Sequence, residues 1–164
     1  VVDVVEVNLR KKQKRRGDKK MVKIRKAEKK DLKEVAEILR IESSKKPYND
    51  KWTQKTALKE VTEFFKKKEM YVVIINKKIG GFIVSSICSN EKKKAYLDEL
   101  WLKKEYQGKG IGKSLVKIIE NKYKNKGVKI LRLVSSKKSR AFGFYKKVRF
   151  KELKHLVFLE KKLK

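Results

Sequence analysis

Cysteine, proline, histidine and acidic side chains are all scarce in this chain of 164 residues. Cys88 is the one cysteine, so an internal disulfide is excluded and a reducing cytoplasm is the expected compartment. It sits in an apolar strand pattern without a nucleophile's partners and reads as core packing. Pro47 is the one proline and falls in a loop. His155 is the one histidine; it sits near the last turn and reads as structural. No metal site is expected. No apolar run approaches the roughly 20 residues that span a bilayer. The opening Val1-Val2-Asp3-Val4-Val5 run is broken by Asp3 and then Glu6, and basic residues follow it. That order of charge excludes a secretory signal, and no membrane association is expected.

What is abundant is positive charge. Lys and Arg number 49 against 19 Asp and Glu, a net +30. Charged residues make up 41% and apolar ones 40%, a mixture that suits a soluble domain with a real core. A basic surface attracts anions over a Debye length of about 8 Å at physiological salt. The lysines are spread over nearly every segment and form no single stripe, which weakens a nucleic-acid reading without removing it.

Residues 1–20 look foreign to the rest. Arg10-Lys11-Lys12-Gln13-Lys14-Arg15-Arg16 is a basic run with no apolar period. Arg15-Arg16-Gly17-Asp18 back-translates to a purine-rich stretch resembling a ribosome-binding site, a few bases ahead of Met21. We expect 1–20 to be a disordered or non-native extension and 21–164 to be one domain. Without the extension the charge is still about +25.

From Met21 the apolar pattern is regular. Val22 to Ala27 alternates as a strand. Asp31 and Glu34 resemble a capping box before a helix carrying Leu32, Val35, Ala36 and Leu39. A loop through Pro47 leads to a second helix with Ala57, Leu58, Val61, Phe64 and Phe65. Strands are expected at 70–75 and 81–88, joined by a hairpin-like turn over 76–80, then at 95–102. A third helix runs from Ile111 to about Lys124, and Gly127 ends it. A strand at 129–135, a short helix at 139–147 and closing strands at 150–153 and 156–160 complete an α+β order.

Between the 95–102 strand and the third helix stands Gln107-Gly108-Lys109-Gly110-Ile111-Gly112. Glycines there let the backbone approach an anion, and the helix start offers unpaired N–H groups and the positive end of its dipole. The pattern suits a phosphate or pyrophosphate. Gly112-Lys113-Ser114 is not a Walker A loop, because that motif needs glycine where Gln107 stands. Gly108-Lys109-Gly110 is not a dinucleotide fingerprint, because its third glycine would fall at Lys113.

Gln107, Gly110 and Gly112 match the [Gln/Arg]-x-x-Gly-x-[Gly/Ala] signature of the GNAT acyltransferase superfamily. Leu97 to Tyr106 resembles that family's fourth strand and its lead into the loop. Arg140 to Phe150 resembles its late helix, which usually ends Phe-Tyr-x-x-x-Gly-Phe. Met21–Ala27 is similar to its first strand and Val157–Leu163 to its last. The resemblance implies a mixed, mostly antiparallel sheet of six to seven strands flanked by four helices. It implies an acetyl-CoA-dependent N-acetyltransferase acting by direct attack of a primary amine, on a small molecule or a protein. CoA would be held by Leu100, Trp101 and Leu102 of the fourth strand, by Gln107, Gly108, Lys109, Gly110, Ile111, Gly112 and Lys113 of the loop and helix start, and by Lys138 and Tyr145 at the late helix. Two positions depart from the pattern. Arg149 stands where the family has glycine, and Lys138 stands where many members have an asparagine that touches CoA. Lys138 can meet a CoA phosphate or face water.

The chemistry requires a neutral amine, a stabilised oxyanion and a proton for the departing thiolate. The resemblance points to Tyr145 as general acid, since a phenol pKa of about 10 matches an alkyl thiolate; the other reading is a core aromatic beside Phe142 and Phe144. Glu99 is the candidate base, direct or through water. Asp98 beside it is expected on the opposite face by strand alternation. Tyr48 and Trp52, in the loop after the first helix, are candidate acceptor contacts or loop anchors. The overall positive charge argues against a polycationic acceptor. Three readings stay open besides a small-molecule enzyme: a protein N-terminal or lysine acetyltransferase, a non-catalytic CoA- or RNA-binding module that contacts nucleic acid or the ribosome, and assembly as a homodimer.

Overall fold

Val and Ile fill the segments that become strands, as β-branched side chains do on a pleated surface. The computed structural model describes residues 5–7, 22–88 and 93–162. Its strands are β1 (Val5–Val7), β2 (Val22–Lys26), β3 (Glu69–Ile75), β4 (Lys78–Ile87), β5 (Lys94–Leu102) and β6 (Ile130–Arg132). They lie side by side in chain order. All neighbours are antiparallel except β5 and β6, which are parallel. The helices are α1 (Leu32–Ser43), α2 (Gln54–Lys67), α3 (Ile111–Asn125) and α4 (Arg140–Lys147).

The expected six to seven strands of a domain beginning at residue 21 are not found. From Val22 onward the sheet has five, and the remaining strand, β1, comes from the segment read as an extension. The other residues of the 1–20 segment, expected to be a disordered or non-native extension, lie outside the described residues. The closing strands expected at 150–153 and 156–160 do not form. Leu156 to Leu159 are four apolar residues in succession with no period of two, and Val157, Phe158 and Leu159 stand 79–88% exposed. The strand expected at 129–135 shortens to Ile130–Arg132.

The β3–β4 hairpin is tighter than expected. Ile75 pairs with Lys78, so the turn is Asn76-Lys77 alone. Both have positive φ, 50° and 66°, the backbone of a type I′ turn. The capping box also moves. Asp31 sits one turn earlier than expected, accepting from the Glu28 N–H at 2.7 Å and from both Arg25 terminal nitrogens at 2.7 and 2.9 Å. Glu34 is occupied elsewhere, accepting from the Ile79 N–H and from Lys103.

The two faces of the sheet are covered differently. Leu32, Val35, Ala36 and Leu39 of α1 and Ala57, Val61 and Phe64 of α2 form one core with Met70, Val72, Phe82 and Val84. On the other face α3 buries Ile111, Leu115, Val116 and Ile119, and its Tyr123 hydroxyl donates to Ser85 Oγ at 3.1 Å. Val84 and Ser85 thus mark the two faces of β4.

The chain divides into two compact units, Val1–Val134 and Ser135–Lys164. In the second, Ser139 caps α4 by accepting from the Phe142 N–H at 3.2 Å. Arg149 follows that helix with φ of 72°, the left-handed conformation that the family's glycine would supply at lower cost.

Gly80 and Gly81 set how closely β3, β4 and β5 can approach. Gly80 is the extra residue where the register shifts, Val73 pairing with Gly81 and Ile74 with Ile79. A Cβ on Gly81 would lie 2.4 Å from the Trp101 carbonyl oxygen, a backbone atom that cannot swing aside. Gly81→Ala is therefore expected to destabilise the protein by about 2 kcal/mol or more. Thermal melting checks this: an unchanged midpoint would show that β5 yields freely.

Candidate active site

The chain between β5 and α3 makes a short helical turn over Lys104–Tyr106 and then enters the glycine loop. Gln107 Nε2 donates to the Leu102 carbonyl at 2.9 Å, which ties the loop back to the end of the strand. Gly108 and Gly110 have φ of 74° and 86°. Gly110 is the residue before α3, and no side chain caps the helix there. A Cβ on Gly110 would meet nothing within 4 Å, so glycine is needed for conformation and the space before the helix is open. A 15-residue helix with an uncapped amino end presents free N–H groups and a positive dipole end. Gly112 is buried in its first turn, while Lys109 and Lys113 are exposed beside the loop. Lys109 Nζ lies 5.9 Å from the centre of the Tyr106 ring. This geometry fits a pyrophosphate group.

Strand β5 leads to the same loop. Its parallel pairing with β6 covers just Lys94, Ala95 and Tyr96, whereas its antiparallel pairing with β4 runs on to Leu102. Past Tyr96 the two parallel strands part, so the β6-side edge of Leu100–Leu102 is not engaged in the ladder. An extended ligand can bond to such an edge.

The candidate base lies on that strand, at a β-bulge. Val84 pairs with Glu99 and Ser85 with Leu97, leaving Asp98 as an extra residue. The bulge cancels one alternation. Asp98 accepts from Ser86 Oγ at 2.8 Å, on the same face as Val84, and from Lys68 Nζ at 3.0 Å, just past α2. Glu99 accepts from the indole N–H of Trp101 at 2.5 Å, and Trp101 packs against the α1–α2 core. Both carboxylates therefore face α1 and α2. The expectation that Asp98 points away from Glu99 is corrected, because alternation holds only for an unbroken ladder.

Burial pushes the Glu99 carboxyl up to about 7. The Trp101 hydrogen bond and the charge of Lys68 work against that rise, and the charges of Asp98 and Glu60 add to it. A carboxyl that exchanges its proton near neutrality is suited to general base work. The sequence did not show that Lys68 and Glu60 act on Glu99, or that Ser86 bonds Asp98. The bulge is the signal that would have found them, and no glycine marks it.

The structure also connects Tyr48 to this strand. Its ring meets Trp101 edge-on, with centroids 5.0 Å apart at 72°. Tyr48 is still 38% exposed. Trp52 packs against the α1–α2 core, and its buried Nε1 has no hydrogen-bond partner among the described residues. In the second unit, Tyr145 is buried near the end of α4. Its ring lies 5.2 Å from Phe144 and 5.7 Å from Phe150, centre to centre. The backbone N–H of Phe150 donates to its carbonyl at 3.0 Å. Lys138 is exposed in the turn before α4, with its backbone N–H on Ser136 Oγ.

The raised Glu99 pKa carries a cost in stability. Between about 4.5 and about 7 the unfolded chain has lost this proton and the folded chain keeps it, so stability falls as pH rises through that window. Glu99→Gln removes the dependence. The variant is expected to gain on the wild type with rising pH, by up to about 3 kcal/mol above pH 7. Urea unfolding at pH 5 and pH 8 measures it; an equal difference at both would place the Glu99 carboxyl near its ordinary value.

Residues 32–150 match the model of the acetyltransferase (GNAT) family. No curated protein sequence matches. Among solved structures, the PaiA N-acetyltransferase from Thermoplasma acidophilum in complex with coenzyme A is 31% identical. That alignment covers 79% of this chain and 89% of that one, with a TM-score of 0.64. Two structures below 25% identity share the fold. The aminoglycoside N-acetyltransferase AAC(6')-Iy in complex with CoA is 16% identical, with 88% and 97% of the two chains covered and a TM-score of 0.72. An aminoglycoside acetyltransferase from an uncultured soil metagenomic sample, in complex with sisomicin, is 20% identical, with 87% and 97% covered and a TM-score of 0.67. The family's co-substrate is acetyl-CoA, and the uncapped α3 terminus behind Gly110 suits it. With its family model matched over most of its length, the chain belongs to the GNAT acetyltransferase family.

Proposed function

We propose that this protein transfers the acetyl group of acetyl-CoA to the primary amine of a cationic small molecule, and that the amine attacks directly. The observation that carries the reading is Glu99, a carboxyl near neutrality on the strand that leads to the pyrophosphate loop. Acetyl-CoA supplies the thioester. Gly108, Gly110, Ile111 and Gly112 offer its pyrophosphate their backbone, Lys109 and Lys113 add charge, and Leu100–Leu102 offer the pantetheine arm a strand edge outside the β5–β6 ladder. Lys138 serves an outer phosphate. A backbone N–H on β5 faces the thioester oxygen, a kind of donor worth roughly 10²–10³ in rate. Glu99 takes the proton of the incoming ammonium. The neutral amine then attacks the thioester carbon and the C–S bond breaks; Tyr145 gives its proton to the departing thiolate, and the surplus proton of the acetylated nitrogen replaces it. Tyr48 and Trp52 line the acceptor side.

The acceptor class follows from local charge. The chain as a whole is strongly basic, yet Asp98, Glu99 and Glu60 act together at this spot. Fields of distant lysines are screened over about 8 Å, so the near carboxylates decide what approaches the base. That outweighs the argument from net charge against a polycation. Aminoglycosides, bound by proteins of the same fold, are a first panel, with diamines and peptides beside them.

Release of free CoA across that panel tests the reading: polycationic amines should turn over and amino acid amides, which carry a single ammonium, should not. Glu99→Gln should slow transfer most at low pH and recover in part at high pH, where free amine is abundant. Rate profiles that coincide with the wild type would remove Glu99 from the reaction. Tyr145→Phe keeps the ring and loses the proton. It should lower turnover by about 10²-fold, within the range of general acid catalysis, while acetyl-CoA affinity holds; a loss below about threefold returns Tyr145 to the core. Gly110→Asp places a carboxylate before α3, and calorimetry should show acetyl-CoA binding weakened at least about tenfold in a folded protein.

A further inference from the structure

We infer that the side chain of Trp101 is a positioning residue: its indole N–H fixes one oxygen of the Glu99 carboxylate, and Tyr48 fixes the indole. The inference rests on the reading of Glu99 as the base, and it gives the side chain of Trp101 a task separate from any bond its backbone makes to CoA.

The geometry is specific. Glu99 and Trp101 are two apart on β5, beyond the bulge, so they stand on one face. The indole nitrogen lies 2.5 Å from Oε2 of Glu99. Trp101 cannot easily leave, because one side of it packs on the α1–α2 core and its ring meets Tyr48 edge-on. Tyr48 belongs to the loop between α1 and α2, the loop expected to meet the acceptor. A carboxylate on a flexible side chain can turn either oxygen to its task. One oxygen bound to a fixed donor directs the other, Oε1, to the incoming amine. Indole donates and never accepts, so it supports the carboxylate and not the protonated acid's hydroxyl. The groups facing Glu99 from the packed elements are Asp98 on β5, Lys68 just past α2 and Glu60 within α2. Among these, Lys68 is engaged by Asp98 at 3.0 Å, which leaves Trp101 as the donor in direct contact with the base.

The first test needs no variant for its main readout. In the full-length protein the indole ¹⁵N–¹H resonances of Trp52 and Trp101 are followed by NMR from pH 5 to 9. The Trp101 resonance, assigned by its loss in Trp101→Phe, should titrate with a midpoint near 7, and Glu99→Gln should abolish that titration. Trp101→Phe keeps the aromatic contact to Tyr48 and loses the donor. Its pH–rate profile should have the acidic limb moved to higher pH by about half a unit or more, because the charged base has lost support. Turnover should fall about tenfold, of the order that mispositioning costs, with acetyl-CoA affinity within about twofold of the wild type.

Failure of the two ideas looks different. An inert Trp101 resonance, or a Trp101→Phe profile that lies on the wild type, overturns the positioning role while an impaired Glu99→Gln keeps the base. A Glu99→Gln variant with the full wild-type profile overturns the base, and the positioning role with it, even where the indole titrates.

Discussion

One inserted residue in β5 decides the character of the site. Without the bulge at Asp98, alternation would send that carboxylate to the α3 face, beside Ser85 and Tyr123. With it, Asp98 and Glu99 share the face that α1 and α2 cover. Asp98 accepts from Lys68 and Ser86 there. Burial on that face pushes the Glu99 carboxyl up to about 7, and the charge of Asp98 beside it adds to the rise. The Gly80 bulge in β4 and the close approach at Gly81 bring the end of β5 under the loop, with Tyr106 packed on Gly80. Glu99 and the glycine loop are thus set by irregularities in two adjacent strands.

These irregularities mark the limit of what the sequence shows. The helices were legible because their apolar residues recur at helical spacing and little else competes. The turn into α3 is legible because Gly108, Gly110 and Gly112 cluster at the helix start in a chain with eight glycines. Glu99 is singled out as a candidate through the resemblance of its strand to the family's fourth strand. Its partners were not. Alternation assumes an unbroken ladder, and Asp98 is an ordinary residue at an extraordinary position. The capping box failed for a related reason. Asp31 has the right spacing to Glu34, but Arg25, six residues earlier, claims both of its oxygens. Burial alone would raise the Asp31 pKa, and its hydrogen bonds from Arg25 and the Glu28 N–H hold it below the ordinary carboxylate range instead. At the other end, the apolar content of Leu153 to Leu159 suggested strands, but content without period does not choose a face.

Net charge is a different kind of signal. A value of +30 describes the far field, which salt removes within about 8 Å. Close to the sheet the few acids are placed against particular bases. Glu69, at the start of β3, has Lys26, Lys122 and Lys126 within 3.4 to 3.6 Å. Its pKa stays low although burial works to raise it, since three cations oppose the loss of its charge. Among the described residues, Lys68 is the base that acts on Glu99, and it is bonded to Asp98. Two carboxylates in one chain thus differ in proton affinity because the surrounding lysines are distributed unevenly.

That contrast explains why a protein so rich in lysine would keep a weakly neutralised acid. Filling the site with another lysine would lower the Glu99 pKa and recover the stability lost above pH 5. It would also give a carboxylate too weak to take a proton from an ammonium near neutral pH. A neutral donor such as the Trp101 indole avoids both outcomes. It bonds the carboxylate at 2.5 Å without adding a charge, so Glu99 keeps most of its raised affinity for a proton. The arrangement gives up folding stability to hold a carboxyl near neutrality, and the edge-on contact of Tyr48 with Trp101 extends that arrangement to the loop between α1 and α2.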